Sequence, residues 1–441
     1  MRNLLLLLAL LLTGSVVSAQ DQFSKQGWNF GALPSVTFDS DLGFQYGGLI
    51  NLYHYGDGSR YPAYDHSLYF EISRFTKGSG INRFYYDSDQ LIKGLQTSLD
   101  ISYLSDKTYD FYGFNGYDAV VHQDWYDDET ADYKTRVFYK YDRKLFRFKI
   151  DLIGQLAGSN INWTAGINLL NFDIDYVDIA KLNKGKDEDD KLPTHDEEPG
   201  LYQKYREWGI ISEEDANGGF VPALKAGIVY DTRDNKPNPM SGMWTEAVLV
   251  GSPEMLGGEH DFLKLSVIHR QYFTLIENDL SLAYRLAYQS TIAGFAPFYY
   301  QTQMITSVLK GASSEGLGGA NSLRGMLRNR VLGDAYFLGN VEARWKFSRF
   351  RFINNNFYLG AVAFADFGRV TKRIDSLESL TFLNTDINDY YDKNAEEMHY
   401  SYGLGLRVAM NENFILRCDY GMAADERDGT SGLYIGLNYL F

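Results

Sequence analysis

Arg324 stands in the run Gly316-Leu317-Gly318-Gly319-Ala320-Asn321-Ser322-Leu323-Arg324-Gly325-Met326, and an alternating segment follows it as far as Phe347. A guanidinium is a planar fork of donors that suits paired carboxylate oxygens, so the chemistry on offer is charge-assisted recognition. A glycine-rich loop that leads one arginine into a strand with charges on one face and apolar groups on the other suggests a loop folded back inside a barrel.

Other chemistry is poorly supplied. The glycines at 316–319 lack the GK[ST] ending and the following helix of a phosphate loop. His66 and Ser67 are neighbours on a candidate strand, which puts them on opposite faces, and none of the seven His falls in an HExxH pattern. The acidic runs Asp187-Glu188-Asp189-Asp190 and Asp196-Glu197-Glu198 lack EF-hand spacing and read as a solvated loop. The single Cys418 offers neither an internal disulfide nor a zinc site. The expectation is a protein that is not an enzyme, with no metal and no cofactor. A net charge of −15 argues against nucleic acid as a partner.

The elements that position Arg324 begin after an export signal. Arg2, the apolar run from Leu4 to Leu12 and the small-residue ending Val17-Ser18-Ala19 read as a signal peptide over 1–19, cut before Gln20. Beyond it no apolar run is long enough for a membrane helix, yet the chain holds 34 Tyr and 28 Phe with a mean hydropathy of −0.31. A transmembrane barrel hides its apolar residues in this way, alternating them with polar ones along each strand.

The alternation is plain in the last strand, where Leu433, Ile435, Leu437, Tyr439 and Phe441 oppose Tyr434, Gly436 and Asn438. That phase assigns Phe441 to the lipid face. Phe357, Leu359, Ala361, Ala363, Ala365 and Phe367 oppose the face carrying Asp366; Tyr400, Tyr402, Leu404, Leu406 and Val408 oppose Arg407. About sixteen strands are expected over 26–38, 41–55, 64–76, 95–105, 133–143, 145–157, 160–178, 219–231, 240–252, 260–275, 280–294, 335–349, 355–371, 397–411, 414–424 and 431–441. Long polar insertions at 77–94, 179–218, 295–334 and 372–396 fall on alternate connections, as long outer loops should, and 106–132 does not fit. That misfit implies either a missed pair of strands or an unusual periplasmic excursion. The fold class expected is therefore all-β, a 16-stranded antiparallel transmembrane β-barrel in one domain, 20–441, with a long extracellular loop folded into the lumen. With the first strand starting soon after the cut, no periplasmic domain is expected before the barrel.

These residues resemble the BamA/TamA outer-membrane assembly and translocation superfamily. Its sixth-loop tip is matched by Leu323-Arg324-Gly325-Met326, with Met326 in place of the usual aromatic. A strand-turn-strand junction is matched by Tyr230-Asp231-Thr232-Arg233-Asp234-Asn235 with Pro237, Pro239 and Gly242. An Asp-x-Gly strand is matched by Phe364-Ala365-Asp366-Phe367-Gly368, and the first hairpin by Leu33 to Phe38 with Leu42-Gly43-Phe44. The POTRA modules of family members have no counterpart in the sequence.

The resemblance implies that the loop fills the lumen and that its arginine pairs with inner-wall carboxylates. By alternation Glu342 faces inward with Asn340, Arg344 and Lys346, Asp366 with Gly360 and Gly368, and Asp419 beside Arg417. Arg324 and Gly325 are therefore expected to be locked by Asp366 and Asp419, with Glu342 as a third candidate. Asp231, Arg233 and Asp234 read either as part of a loop latch or as a polar turn with self-paired charges. Pro34 removes a donor from the first strand, so the seam between the first and last strands is expected to be weakly paired, unless Pro34 lies near the strand's periplasmic end. In the family that seam is the gate through which client strands enter. The implied location is the bacterial outer membrane, with lipid and lipopolysaccharide around the barrel, unfolded client proteins as cargo, and periplasmic or lipoprotein partner subunits. The implied function is insertion of proteins into, or translocation across, that membrane; the alternative is a channel or structural barrel subunit of a larger envelope or secretion assembly.

Overall fold

The computed structural model describes residues 25–61, 63–156, 158–235, 238–303, 316–352, 355–374, 387–410 and 414–441, with backbone only over 32–35. The expected signal peptide lies outside the described residues. Sixteen antiparallel strands close into a barrel: β1 (Trp28–Asp39), β2 (Gly43–His54), β3 (His66–Phe75), β4 (Ser79–Ile92), β5 (Leu95–Asp110), β6 (Lys140–Gln155), β7 (Ile161–Asp175), β8 (Phe220–Asp231), β9 (Gly242–Ser252), β10 (Phe262–Ile276), β11 (Leu280–Gly294), β12 (Ala335–Phe352), β13 (Asn355–Lys372), β14 (His399–Met410), β15 (Phe414–Ala423) and β16 (Ser431–Leu437).

Each strand pairs with its sequence neighbours, and β1 closes the ring against β16. Closure gives every strand an inner and an outer face, and the period-two pattern decides which residues occupy each. Trp345, Tyr402, Leu404, Leu406 and Tyr420 are exposed on the outer face, while Asn340, Glu342, Arg344, Asp366, Arg407 and Asp419 are buried on the other. A barrel that is apolar outside and charged inside suits hydrocarbon, where every backbone polar group must be satisfied by a neighbouring strand. Among the described residues no helix is long and apolar enough to cross a membrane.

Two of the expected boundaries are corrected. Residues 77–94 are not a long polar insertion, because β4 occupies most of them and pairs with both β3 and β5. Conversely, 133–143 is not a strand of its own, since β6 begins only at Lys140. Val137, Phe138 and Tyr139 are buried consecutively instead of alternating between faces, Phe138 and Tyr139 in an aromatic cluster with Tyr112, Trp125 and Tyr205, and Val137 against Val177, Ile179 and Leu192. Exchanging one strand for the other shifts the parity of every connection between them. The misfit at 106–132 disappears: β5 runs on to Asp110, and β5 is followed by a connection that leaves from the same end of the barrel as those after β7, β9, β11, β13 and β15. The connections after β2, β4, β6, β8 and β10 leave from the opposite end.

Candidate functional site: a buried arginine cluster and the adjoining seam

The segment 316–332 is closed at its base by a two-way backbone bridge, Leu317 N–H to the Val331 carbonyl at 3.1 Å and Val331 N–H to the Leu317 carbonyl at 3.0 Å. Its tip is tightened by Gly319 N–H to the Met326 carbonyl at 3.2 Å. The Ser322 hydroxyl accepts from Gly318 N–H at 2.9 Å. Leu323 and Met326 are buried with Leu317, Val331, Tyr336, Leu338 and Val370, so the methionine supplies apolar bulk against β12 and β13.

That packing delivers Arg324 to three carboxylates. Its Nε and Nη2 each donate to one oxygen of Asp366 at 2.9 Å, a two-pronged pair, and its backbone N–H reaches the same carboxylate at 3.1 Å. Nη1 donates to Glu342 Oε1 at 2.7 Å and to Asp419 Oδ2 at 3.4 Å. The guanidinium plane lies 3.5 Å from the centroid of the Phe364 ring, a cation–π contact. All four ionic side chains have no exposed surface.

Three buried carboxylates around one arginine would be costly without further cations. Arg344 Nε donates to Glu342 Oε2 at 2.7 Å, and Arg407 Nη1 to Asp419 Oδ1 at 2.5 Å. Asn340 donates to Asp366 Oδ1 at 2.8 Å and to the Ser322 carbonyl at 2.7 Å. The three acids thus meet three guanidiniums, and the loop backbone is tied into the same network. Phe364, Arg344 and Arg407 were legible only as members of the inward face; nothing local marked them as partners of Arg324.

Two further arginines of the same segment were missed by sequence reasoning. Arg328 Nε donates to Asp110 Oδ2 at 2.9 Å, and its Nη2 lies 3.7 Å from Asp106 Oδ1, both on β5. Arg330 donates to the carbonyls of Gly116 at 2.9 Å, Ala119 at 3.2 Å and Arg427 at 2.9 Å. Their spacing from Arg324 carries no periodic signal, and their acceptors come from segments remote in sequence.

Asp231, Arg233 and Asp234 are not brought to this cluster. Asp231 ends β8 and Arg233 and Asp234 follow it, at the opposite end of the barrel from 316–332, where Arg233 folds back on Asp231 through Nε at 2.9 Å and Nη2 at 3.0 Å. Asp234 Oδ1 accepts from the Met240 and Ser241 N–H groups at 3.0 and 3.2 Å. Of the two readings of this motif, the self-paired turn matches the observed geometry.

The seam between β1 and β16 is short. Among the described residues Phe38 with Ile435 and Asp39 with Tyr434 are the pairs across it, supplemented by Ser40 N–H to the Leu433 carbonyl at 3.1 Å. β15 and β16 by contrast pair from Leu416 with Leu437 through Met422 with Ser431. Pro34 lies in the middle of β1, opposite Gly48 of β2, and not at the strand's end.

The lipid-facing position expected for Phe441 is incorrect. β16 ends at Leu437, Asn438 takes a left-handed φ of 65°, and the chain turns inward. Tyr439 comes to 4.3 Å from the Arg344 guanidinium, ring centroid to carbon, while Phe441 packs against Tyr272 and Ala283. The Phe441 carbonyl oxygen accepts from Arg344 Nη2 at 2.9 Å. A strict strand would have carried Tyr439 and Phe441 outward; the charged inner wall offers cation–π and hydrogen-bond partners that the lipid face lacks. Continued in the register of Phe38 with Ile435, the strand would have set Tyr439 opposite Pro34, which has no N–H to donate.

Among the described residues there is no group of three metal-ligating side chains. The cluster joins 316–332 to β12, β13 and β15 by buried charge pairing, and β15 borders β16 of the short seam.

Residues 66–441 match the family described as the Omp85 superfamily domain. Among solved structures, the chain is similar to BamA from Haemophilus ducreyi lacking POTRA domains 1–3, at 14% identity and a TM-score of 0.53, over 94% of this chain and 71% of that one. It is also similar to CdiB from Escherichia coli, at 10% identity and a TM-score of 0.54, over 95% of this chain and 64% of that one. No curated protein sequence matches.

Proposed function

The chain belongs to the Omp85 superfamily and is an outer-membrane barrel, and from that premise we propose that it takes part in inserting proteins into the outer membrane or moving them across it. The observation that carries this reading is the seam. With β16 ending at Leu437 and the following residues turned inward, no strand among the described residues pairs with β1 from Trp28 to Thr37 on its β16 side. An unpaired edge is a template for an incoming strand, whose backbone can add to it by hydrogen bonding while side chains are read on alternate faces.

In this reading 316–332 closes the lumen, and Arg324 with Glu342, Asp366 and Asp419 fixes its position while β1 exchanges partners. Buried ion pairs suit that task because they specify a position without adding much net stability. Client capture and any energy source lie with periplasmic or lipoprotein subunits, and lipid with lipopolysaccharide surrounds the outward apolar face.

Quantitative outer-membrane proteomics after depletion of the protein tests the proposal. Broad loss of barrel proteins indicates general insertion, and loss of one or a few cargoes a dedicated translocator. An unchanged proteome together with steady conductance of the purified barrel would transfer the assignment to a channel or structural subunit.

A further inference from the structure

His399, the first residue of β14, is fully buried at the outer end of the barrel with a carboxylate at each ring nitrogen. Nδ1 lies 2.8 and 2.9 Å from the two carboxylate oxygens of Asp428, and Nε2 lies 3.1 Å from Glu396 Oε2. A neutral imidazole has one donor and one acceptor nitrogen, so it would turn a lone pair on one of these acids. Only the imidazolium donates to both.

The carboxylates belong to different outer connections, 387–398 and 424–430, and a third connection, 111–139, closes over the ring. Tyr117 stacks on it at 3.9 Å between centroids, donates its hydroxyl to Asp428 Oδ2 at 2.6 Å and its backbone N–H to Glu396 Oε2 at 3.0 Å. Burial, then Asp428, push the Tyr117 phenol above its ordinary range, which keeps it a donor. Gly116 permits the approach: a Cβ there would fall 2.0 Å from Glu396 Oε2.

The remaining charges around the ring come from all the packed elements. Arg330 Nε is 3.7 Å from Asp428 Oδ1. Asp118 accepts from Glu396 N–H at 3.0 Å and pairs with Arg373. Arg427 lies over Tyr117 and pairs with Asp425 and Glu397. The permanent cations are thus engaged chiefly with carbonyls and other acids, and His399 is the group placed between Glu396 and Asp428.

We propose that His399 is a proton-controlled clasp: as the imidazolium it joins 111–139, 387–398 and 424–430 into one outer cap, linked through Arg330 to the segment carrying Arg324, and deprotonation releases the join. The clasp does not depend on the transport reading, because its consequence is local order of the cap.

Hydrogen exchange on the full chain in lipid nanodiscs, corrected for the intrinsic effect of pH on exchange, tests it by comparing a mildly acidic sample at about pH 6 with an alkaline one at about pH 9, since the carboxylates at both ring nitrogens favour the charged imidazole. In the wild type, amides of 114–120, 394–400 and 425–430 should lose at least tenfold protection on going alkaline, while those of 323–326 change little. His399→Gln should lack protection in the three segments at both pH values. An unchanged alkaline loss in His399→Gln, or none in the wild type, overturns the proposal. If His399→Gln does not fold, Asp428→Asn keeps the imidazole and removes one charged acceptor; its loss of protection should then move to lower pH, and an unmoved transition overturns the proposal equally.

Discussion

Gly325 and Gly421 approach so closely that neither position has room for a side chain: a Cβ on Gly325 would fall 2.4 Å from the Gly421 carbonyl carbon, and one on Gly421 would fall 2.4 Å from the Arg324 carbonyl oxygen. Gly325 also has φ +97°, where an L side chain is strained. Loop tip and β15 therefore meet backbone to backbone, with the Tyr434 hydroxyl accepting from Gly325 N–H at 3.2 Å. Gly421→Ala leaves the strand itself intact and pushes on the tip. The expected cost is about 1–3 kcal/mol, as for other overpacked sites, read from urea unfolding in lipid. Faster hydrogen exchange in 323–326 with β15 unchanged would locate the effect, and an unaltered tip would contradict it.

Arg324→Ala leaves Asp366, Glu342 and Asp419 facing one another with fewer cations. Removing one member of a buried ionic set costs about 3–5 kcal/mol, so the unfolding midpoint should fall well below that of the wild type. Single-channel recordings should show larger or more frequent openings as the segment loses its place. Arg324→Lys keeps the charge but cannot reproduce the two-pronged pair with Asp366, and should recover only part of the loss. Wild-type conductance and heat-modifiability in Arg324→Ala would remove the lock.

Arg328 ties the same segment to β5 through Asp110 and Asp106, away from the acids that hold Arg324. Arg328→Ala should destabilise the protein by about 3 kcal/mol, since buried Asp110 would lose one of the two cations that face it and keep Lys140. The two arginines share one short backbone segment, so the double variant should cost less than the sum of the singles. Strict additivity would show that the segment is held at two independent points.

Phe38 and Ile435 face each other across the seam and can be joined as a cysteine pair. Cys418 of β15 is the partner of Ile435 on the other side, so the pair must be made with Cys418→Ser to prevent a bond within β15 and β16. Under oxidising conditions the locked barrel should lose its activity in cells and regain it with reductant. Normal growth of the fully oxidised form would rule out opening at this seam.

The alternation of apolar and polar residues determined which face most side chains occupy, because strand periodicity is a local property of two successive peptide units. That phase placed Glu342, Asp366 and Asp419 inward together, and a glycine-flanked arginine in a long connection marked Arg324. β4 escaped because its two faces are chemically alike: Phe84 and Tyr86 share one and Tyr85 lies on the other, with Arg83 and Asp87, while Asn82 interrupts the apolar side. Where strands end and which distant backbones touch belonged to the tertiary structure alone. The inward turn at Asn438 depends on Arg344 and Tyr272, and the fit of Gly325 on Gly421 depends on ring closure. The clasp of His399 likewise needs three connections brought to one end of the barrel. Each is a contact between segments far apart in sequence, formed only once closure has fixed the register of the sixteen strands.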